Sequence, residues 1–166
     1  MTILDVEIGA VTPANIEQFK TLNVAGLPVR YSTKFYKELL NNVPPQYIKF
    51  AFWNGFAVGA ICCRVEENKQ EGGKGKRLYI MTLSVLPAYR RRGVAGSLLK
   101  HVLEAAAKDT TINDAYLHVQ TSNEEALGFY RAHTFEVIEK LEGYYKRVDP
   151  PDCFILSKMM ERGEKQ

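Results

Sequence analysis

The sequence contains few of the residues that bind metals or cross-link small proteins. Its 166 residues include three cysteines, three histidines and one tryptophan. Cys62 and Cys63 are adjacent within a strand-like run and Cys153 stands alone, so their spacing shows neither a Cys-x-x-Cys ligand pair nor a disulfide framework. We expect three reduced thiols that pack in the interior, and we expect no bound metal.

Long apolar runs are also missing. No stretch approaches the roughly 20 apolar residues that a membrane-spanning helix requires. Near the amino terminus, Asp5 and Glu7 lie where a secretory signal would have a basic stretch followed by an apolar one. We therefore expect no membrane association and a cytoplasmic location, with the nucleus as a second compartment.

The bulk composition predicts one globular domain. Hydrophobic residues make up 46% of the chain and charged residues 25%, which is typical of folded domains. The length fits a single domain over residues 1–166, with 159–166 as a flexible tail. The net charge is only +3, and the basic residues gather in loops without interleaved aromatic residues, so we expect no specific nucleic-acid binding.

The pattern of strands and helices predicts an α/β protein. Aromatic and β-branched runs predict strands over residues 4–8, 47–53, 56–65, 77–85, 115–120, 135–139 and 153–156. Periodicity and cap signals predict helices over 13–22 with an N-cap at Thr12, after Ser32, over 94–108 and over 124–132. Asn54-Gly55 predicts a tight hairpin. Strands that cluster first and then alternate with helices imply a mixed sheet covered by helices on both faces.

The most informative segment covers residues 83–97. A strand leads through the basic turn Arg90-Arg91-Arg92-Gly93 directly into a helix. Such a helix presents unpaired backbone N–H groups and the positive end of its dipole to an anion, and glycine lets a phosphate come close. The pattern predicts a phosphate-binding turn, although a basic loop that merely uses glycine to turn fits it equally well. A Walker loop is excluded, because no Gly-Lys-Ser/Thr ending follows.

The same turn matches the signature of an enzyme superfamily. Arg90, Gly93 and Ala95 fit the pattern Arg/Gln-x-x-Gly-x-Gly/Ala, so the sequence resembles the GCN5-related N-acetyltransferase (GNAT) superfamily. It is similar, more narrowly, to the NatE-type N-terminal acetyltransferases over residues 77–83, 116–120, 123–126, 129–131 and 144–147. The resemblance implies the GNAT fold, with a mixed central sheet of about seven strands flanked by about four helices. It also implies acetyl transfer from acetyl-CoA to the α-amine of proteins.

The resemblance further implies which residues bind acetyl-CoA. The basic turn would hold the pyrophosphate, and the helix that follows Asn123 would lie beside the pantetheine arm. The implied cofactor-binding residues are Leu83, Ser84, Val85, Arg90, Arg91, Arg92, Gly93, Val94, Ala95, Gly96, Ser97, Asn123, Ala126, Phe129 and Tyr130.

By position, the two catalytic residues of the family fall on Tyr79 and His118. Strand alternation permits this, because Tyr79 shares a strand face with Met81 and His118 shares one with Tyr116. A histidine, with a reference pKa of about 6.5, accepts a proton at neutral pH, whereas a tyrosine, with a reference pKa of about 10, needs assistance. Tyr130 matches the family tyrosine that protonates the leaving thiolate. Without the resemblance, all three would be read as packing residues.

The implied peptide site is apolar and aromatic, which predicts substrates that begin with a retained methionine followed by a hydrophobic residue. Its residues are Leu27, Pro28, Val29, Tyr31, Met81, Tyr144, Tyr145, Lys146 and Arg147. The chain departs from the family pattern at Leu27, Arg30, Ala95 and Thr134. Thr134 replaces a turn glycine, so it is strained if that turn requires a positive φ.

Two other functions remain compatible with these motifs. One is acetylation of small amines or lysine ε-amines, and the other is a weakly catalytic adaptor subunit of a ribosome-associated acetyltransferase complex. The presence of Tyr79, His118 and Tyr130 together argues against the adaptor. The expected partners are the N-termini of nascent or completed proteins, a NatA-type acetyltransferase complex and the ribosome.

Overall fold

The computed structural model describes residues 2–27 and 30–162. In chain order the elements are β1 (Glu7–Ala10), α1 (Ile16–Gly26), α2 (Thr33–Asn42), β2 (Ile48–Trp53), β3 (Phe56–Glu67), β4 (Lys76–Val85), α3 (Val94–Ala107), β5 (Ile112–Gln120), α4 (Glu124–Ala132), β6 (Glu136–Leu141) and β7 (Cys153–Met159). One-turn 3-10 helices cover Pro45–Tyr47 and Pro87–Tyr89. The strands form a sheet in the order β1-β2-β3-β4-β5-β7-β6. The prediction of a mixed seven-stranded sheet with four helices is confirmed.

The chain packs as two compact units. The first consists of Met1–Val65 and Ile80–Asp109, and the second of Glu66–Tyr79 and Thr110–Gln166. The single domain over 1–166 and the flexible tail over 159–166 stay predictions. Within that tail Met159 is the last residue of β7, and residues 163–166 lie outside the described residues.

Two local signals in the first unit are confirmed. Asn54 and Gly55 connect β2 to β3 with φ values of 50° and 78°, the left-handed pair that a type I′ hairpin turn needs. Ser32 caps α2, because its side-chain oxygen accepts a hydrogen bond from the Phe35 N–H at 3.1 Å. Both features depend on residues that are close together in the sequence, which is why the sequence alone predicted them.

Two predicted element starts in this unit are wrong. The strand predicted over 4–8 begins at Glu7, because the backbone before it bonds to the turn ahead of α3 instead of to a strand. The first helix begins at Ile16, three residues late. The Asn15 side chain accepts the Thr12 N–H at 2.7 Å and closes a turn there, so Thr12 does not act as the N-cap.

Aromatic side chains join α1 and α2 to the sheet in the first unit. The Phe19 ring meets the Tyr36 ring at 6.2 Å and the Phe50 ring at 6.1 Å, both in edge-on geometry. Phe19 and Phe50 are fully buried. Such pairs contribute about 0.5–1.5 kcal/mol each beyond the burial of their area.

Gly59 of β3 allows the start of α3 to lie directly on the sheet. A Cβ atom at this position would be 2.9 Å from Val94 Cγ1, 3.1 Å from the Ser84 carbonyl oxygen and 3.2 Å from Leu98 Cδ1. A side chain would therefore push the helix away from the strand. Because glycine occupies this position, the amino end of α3 packs directly against β3 and the last residues of β4.

The second unit is built around β5. The beginning of β4 pairs with β5 in parallel, with Tyr79 opposite Tyr116. On its other side β5 pairs antiparallel with β7, which pairs antiparallel with β6. Leu127 and Tyr130 of α4 are buried, and so is Phe135 just before β6. The parallel pair leaves one face of β4 and β5 lined by polar and aromatic side chains.

Thr134 occupies a backbone position that favours glycine. Its φ is 66°, and its N–H donates to the Arg131 carbonyl at 3.0 Å to close the end of α4. A β-branched residue in this left-handed region is strained. The strain anticipated for this departure from the family pattern is present.

We expect Thr134→Gly to stabilise the protein by about 1 kcal/mol, because relief of the left-handed strain exceeds the entropy that glycine adds to the unfolded chain. The measurement is the free energy of unfolding from urea titration. Thr21→Gly is the matched control, since Thr21 lies inside α1 and the same exchange there should cost a few tenths of a kcal/mol. A Thr134→Gly variant no more stable than the parent would contradict the expectation.

Candidate active site

The predicted phosphate-binding turn connects β4 to α3 in the first unit. Gly93 is the N-cap of α3 with a φ of 81°, and Arg91 has a φ of 61°. These two left-handed residues reverse the chain, so α3 starts at Val94 immediately after the basic run. The first N–H groups of a helix have no partner within it, so the start of α3 is a place where an anion could bind.

Hydrogen bonds from the arginines maintain the shape of this turn. Arg90 Nε donates to the Val85 carbonyl at 3.0 Å, and Arg92 Nε donates to the Thr2 carbonyl at 3.1 Å. In return, the Leu4 N–H donates to the Arg92 carbonyl at 2.9 Å. Residues before β1 therefore brace the turn, a contact that no sequence motif indicated.

Other predicted cofactor residues of the first unit differ in what they can offer a ligand. Ser84 is buried and its Oγ donates to Asn23 Oδ1 at 3.0 Å, so its side chain serves the interior. Val94 is also buried, and the Ser97 N–H donates to the Gly93 carbonyl at 3.0 Å. Backbone groups and the arginine side chains are thus the better candidates for contacts with a ligand.

The predicted cofactor residues of the second unit lie on α4. Asn123 caps this helix, because its Oδ1 accepts the Ala126 N–H at 3.1 Å. Tyr130 is only 6% exposed and its ring packs against Phe129 at 5.0 Å and Phe135 at 5.3 Å. Tyr130 is therefore a core residue, whatever further part its hydroxyl takes.

The second unit brings Tyr79 and His118 together. Tyr79 Oη lies 2.8 Å from His118 Nδ1, and both residues are half-buried. Because β4 and β5 are parallel and Tyr79 stands opposite Tyr116, alternation puts His118 on the same face. Either the hydroxyl donates to Nδ1 in the Nε2–H tautomer, or Nδ1–H donates to the phenol oxygen. In both cases the pair forms a path for a proton.

The loop between β6 and β7 covers the imidazole. The Tyr144 ring stacks on the His118 ring with centroids 4.3 Å apart and planes 7° from parallel. Gly143 anchors the loop, since its N–H donates to Asp152 Oδ1 at 2.9 Å. The other predicted substrate residues of this loop are Tyr145, which is half-buried, and Lys146 and Arg147, which are exposed.

The remaining predicted substrate residues belong to the first unit. Tyr31 Oη donates to the Met81 carbonyl at 3.3 Å, which ties the segment before α2 to β4. Leu27 is the C-cap of α1, and its N–H donates to the Asn23 carbonyl at 2.9 Å. Pro28 and Val29 lie outside the described residues.

A buried charged cluster adjoins Tyr79. The family motifs include Arg77 and Tyr116, but they did not indicate that these residues bond to Asp114 and Glu66. Arg77 forms two hydrogen bonds with Asp114, Nε to Oδ1 at 2.9 Å and Nη2 to Oδ2 at 2.8 Å, and both residues are 8% exposed. The guanidinium also lies 3.8 Å from the centre of the Tyr116 ring, whose hydroxyl donates to Glu66. The available signal was a charged residue inside each of two apolar strands, which is rare unless the charges are paired.

The three cysteines are buried and reduced, as predicted. Burial raises the pKa of the Cys62 thiol to about 12 and also raises the pKa of the Cys63 and Cys153 thiols. These thiols are therefore protonated at neutral pH and are poor nucleophiles. Across residues 2–27 and 30–162, no three His, Cys, Asp or Glu side chains group as metal ligands, and no helix is long and apolar enough to cross a membrane.

Comparison with known proteins identifies relatives over nearly the whole chain. The Acetyltransferase (GNAT) family matches residues 16–135. The chain is 47% identical to N-alpha-acetyltransferase 50 of Danio rerio, over 93% of this chain and 89% of that protein. It is 40% identical to the probable N-acetyltransferase san of Drosophila melanogaster, over 98% and 85%.

A solved structure agrees with these relatives. Arabidopsis thaliana Naa50 in complex with the bisubstrate analogue CoA-Ac-MVNAL superposes with a TM-score of 0.81 at 39% identity, covering 93% of this chain and 99% of that one. The predicted resemblance is confirmed, and these proteins are close homologues of the chain. The chain therefore belongs to the GNAT acetyltransferase family.

Proposed function

We propose that this chain acetylates proteins whose N-terminus is a retained methionine followed by a hydrophobic residue. The chain is an N-alpha-acetyltransferase that uses acetyl-CoA, as its family and its 47% identity to N-alpha-acetyltransferase 50 establish. The observation that carries the chemistry is the 2.8 Å contact between Tyr79 and His118. The observation that supports the specificity is the sequence MVNAL in the analogue bound to the Arabidopsis relative.

The turn ahead of α3 binds the pyrophosphate of acetyl-CoA in this proposal. Its support is the N-cap at Gly93, which directs the first backbone N–H groups of α3 toward an anion. Arg90 and Arg92 add positive charge at the same turn. In the second unit, α4 contacts the pantetheine arm through Asn123 and Phe129, as the family resemblance implies.

Removal of the amine proton is assigned to Tyr79 and His118. The α-amine attacks the thioester carbonyl, and Tyr79 Oη accepts its proton through an ordered water while the hydroxyl proton passes to His118 Nδ1. This relay requires the Nε2–H tautomer of neutral His118. An α-amine is already neutral in roughly a tenth of molecules at pH 7, whereas a lysine amine is neutral in fewer than about one in a thousand. A modest base therefore favours α-amines over lysine.

Two further groups complete the acyl transfer. A backbone N–H near Leu83 stabilises the oxyanion that develops as the new C–N bond forms. When the C–S bond breaks, the Tyr130 hydroxyl donates a proton to the leaving thiolate. The packing of the Tyr130 ring against Phe129 and Phe135 supports this role, because it limits the positions that the hydroxyl can take.

Aromatic residues shape the proposed peptide site. Tyr31, Tyr144 and Tyr145 offer rings to the first side chains and hydroxyls to the peptide backbone. Leu27 and Met81 add apolar surface for the methionine. An acidic second residue would lose water at such a surface without a clear partner, which disfavours it.

Partners and location are proposed from the distribution of charge and from the family resemblance. The basic loops suit an acidic or ribosomal surface, so a NatA-type acetyltransferase complex and the ribosome are the proposed partners. We propose the cytoplasm, with the nucleus as a second compartment, as the place where the chain meets its substrates.

Arg90→Glu combined with Gly93→Asp should weaken acetyl-CoA binding at least about tenfold, because it places negative charge and a strained backbone at the pyrophosphate turn. Calorimetry with acetyl-CoA measures the effect. Lys100→Glu on the exposed face of α3 is the matched control for the charge change and should leave affinity unchanged. Parental affinity in the double variant would refute the assignment of the turn.

Tyr79→Phe and His118→Ala should each lower kcat by about 10²-fold or more while acetyl-CoA affinity is kept, because general base catalysis typically contributes that much. The double variant should be little worse than either single one, since the two groups act as a unit. Steady-state kinetics and thermal melts measure this, with His101→Ala on α3 as the control. Near-parental kcat in both single variants would leave the base unassigned and revive the adaptor function.

For otherwise identical peptides, kcat/KM should rank Met-Leu above Met-Glu and Ser-Glu starts, by a graded margin. One methylene in an apolar pocket is worth only about 1–3 kcal/mol, so the preference is not absolute. Mass spectrometry with acetyl-CoA measures it, and a peptide with a blocked N-terminus and a free lysine tests the lysine alternative. Equal values, or a preferred Ser-Glu peptide, would refute the specificity while leaving acetyl transfer intact.

A further inference from the structure

We propose that Arg77, Asp114 and Tyr116 form a positioning cluster that fixes the orientation of Tyr79 for proton transfer. The proposal rests on the proposed role of Tyr79 and His118. None of the three is among the residues predicted to bind acetyl-CoA or the peptide. Their effect on catalysis passes through the Tyr79 ring.

Strand register places the cluster beside Tyr79 and His118. Arg77 and Tyr79 alternate onto one face of β4, and their opposite residues on β5 are Asp114 and Tyr116. His118 follows on the same face of β5. Along this face, the Arg77–Asp114 ion pair is therefore followed by the pair of Tyr79 and Tyr116, and then by His118.

Tyr116 is held on several sides. The Arg77 guanidinium lies 3.8 Å from its ring centre, and its hydroxyl donates to Glu66. The Tyr79 ring packs against it with centroids 4.8 Å apart at 50°. The Tyr116 ring is therefore fixed by the cation and by its hydroxyl bond, and it limits the movement of the Tyr79 ring. The Tyr79 hydroxyl must stay within hydrogen-bond distance of His118 Nδ1.

Stability alone is a poor reason for this cluster. A buried ion pair loses hydration on both charges, and well-packed apolar residues of similar volume often stabilise a fold as well or better. Arg77 and Asp114 nevertheless meet with two short, parallel bonds, the arrangement that gives the most directional control. Directional control matters where a neighbouring group must hold one geometry.

The Arg77 guanidinium of the cluster also keeps its charge across the working pH range. The hydrogen bond with Asp114 raises the pKa of Arg77 above its ordinary value, while burial acts against it and the nearby Asp114, Tyr116 and Glu66 charges add to the rise. The guanidinium therefore stays protonated. Its contact with the Tyr116 ring is therefore present at every pH at which the reaction is measured.

The main test is the double variant Arg77→Met/Asp114→Leu, which replaces the ion pair by apolar residues. We expect the variant to fold, to bind acetyl-CoA within about twofold of the parent, and to lose kcat at least about tenfold because Tyr79 is no longer held in place. Lys100→Met/Glu104→Leu removes an exposed ion pair of α3 and is the matched control, with unchanged kcat expected. A folded Arg77→Met/Asp114→Leu protein with parental kcat would overturn the proposal.

Tyr116 variants decide the question even if the double variant does not fold. Tyr116→Phe keeps the ring that packs against Tyr79 and should retain kcat within about threefold. Tyr116→Leu removes this ring and should lower kcat at least about tenfold, with acetyl-CoA affinity unchanged. Rescue by phenylalanine but not leucine supports the proposal. Equal kcat in the leucine variant and the parent overturns it.

A spectroscopic readout separates positioning from mere structural support. In the parent, the ¹⁵N shifts of the His118 ring should report one fixed tautomer, and in Tyr116→Leu they should move toward the average of two. The pH profile of kcat/KM should shift in the same variant. Unchanged ring shifts and an unchanged profile would overturn the proposal. A parent without acetyltransferase activity would instead overturn the proposed function and this inference with it.

Discussion

The parallel pairing of β4 with β5 determines what the second unit can do. A register shift between Lys76 and Arg77 precedes the aligned pairs, so that Arg77 stands opposite Asp114 and Tyr79 opposite Tyr116. Because side chains alternate along a strand, slipping one strand by a single residue would turn its polar set to the other face. Irregular pairing can re-aim side chains. After this shift, the Arg77–Asp114 pair lies on the same strand face as Tyr79 and His118.

Local signals predicted most of the fold, because caps and turns depend on neighbouring residues. The Asn54-Gly55 hairpin, the Ser32 cap and the α4 limits all follow from a few adjacent side chains. The two wrong element starts have different causes. At Thr12 the competing group is local, because the Asn15 side chain three residues along accepts the Thr12 N–H. The strand predicted over 4–8 starts late because of a distant partner, since the Leu4 N–H bonds across the chain to the Arg92 carbonyl in the turn before α3.

The candidate site divides in the same way. Family motifs located Tyr79 and His118, and alternation showed that they can share a face, but no local pattern specifies which charges will pair in three dimensions. Arg77 and Asp114 are 37 residues apart, and their partnership depends on strand register that only the folded sheet defines. Thr134 is the opposite case. Because threonine replaces a glycine of the family motif, the sequence alone predicted the strain that its φ of 66° shows.

The contact between Thr2, Leu4 and Arg92 has a practical consequence for handling the protein. Two backbone groups near the amino end are tied to the arginine that precedes Gly93, so this end is part of the scaffold of the turn. A fusion that displaced Thr2 or Leu4 would break these hydrogen bonds and remove two contacts that support the turn. Kinetic constants measured on a protein with an amino-terminal tag therefore need comparison with those of the untagged enzyme.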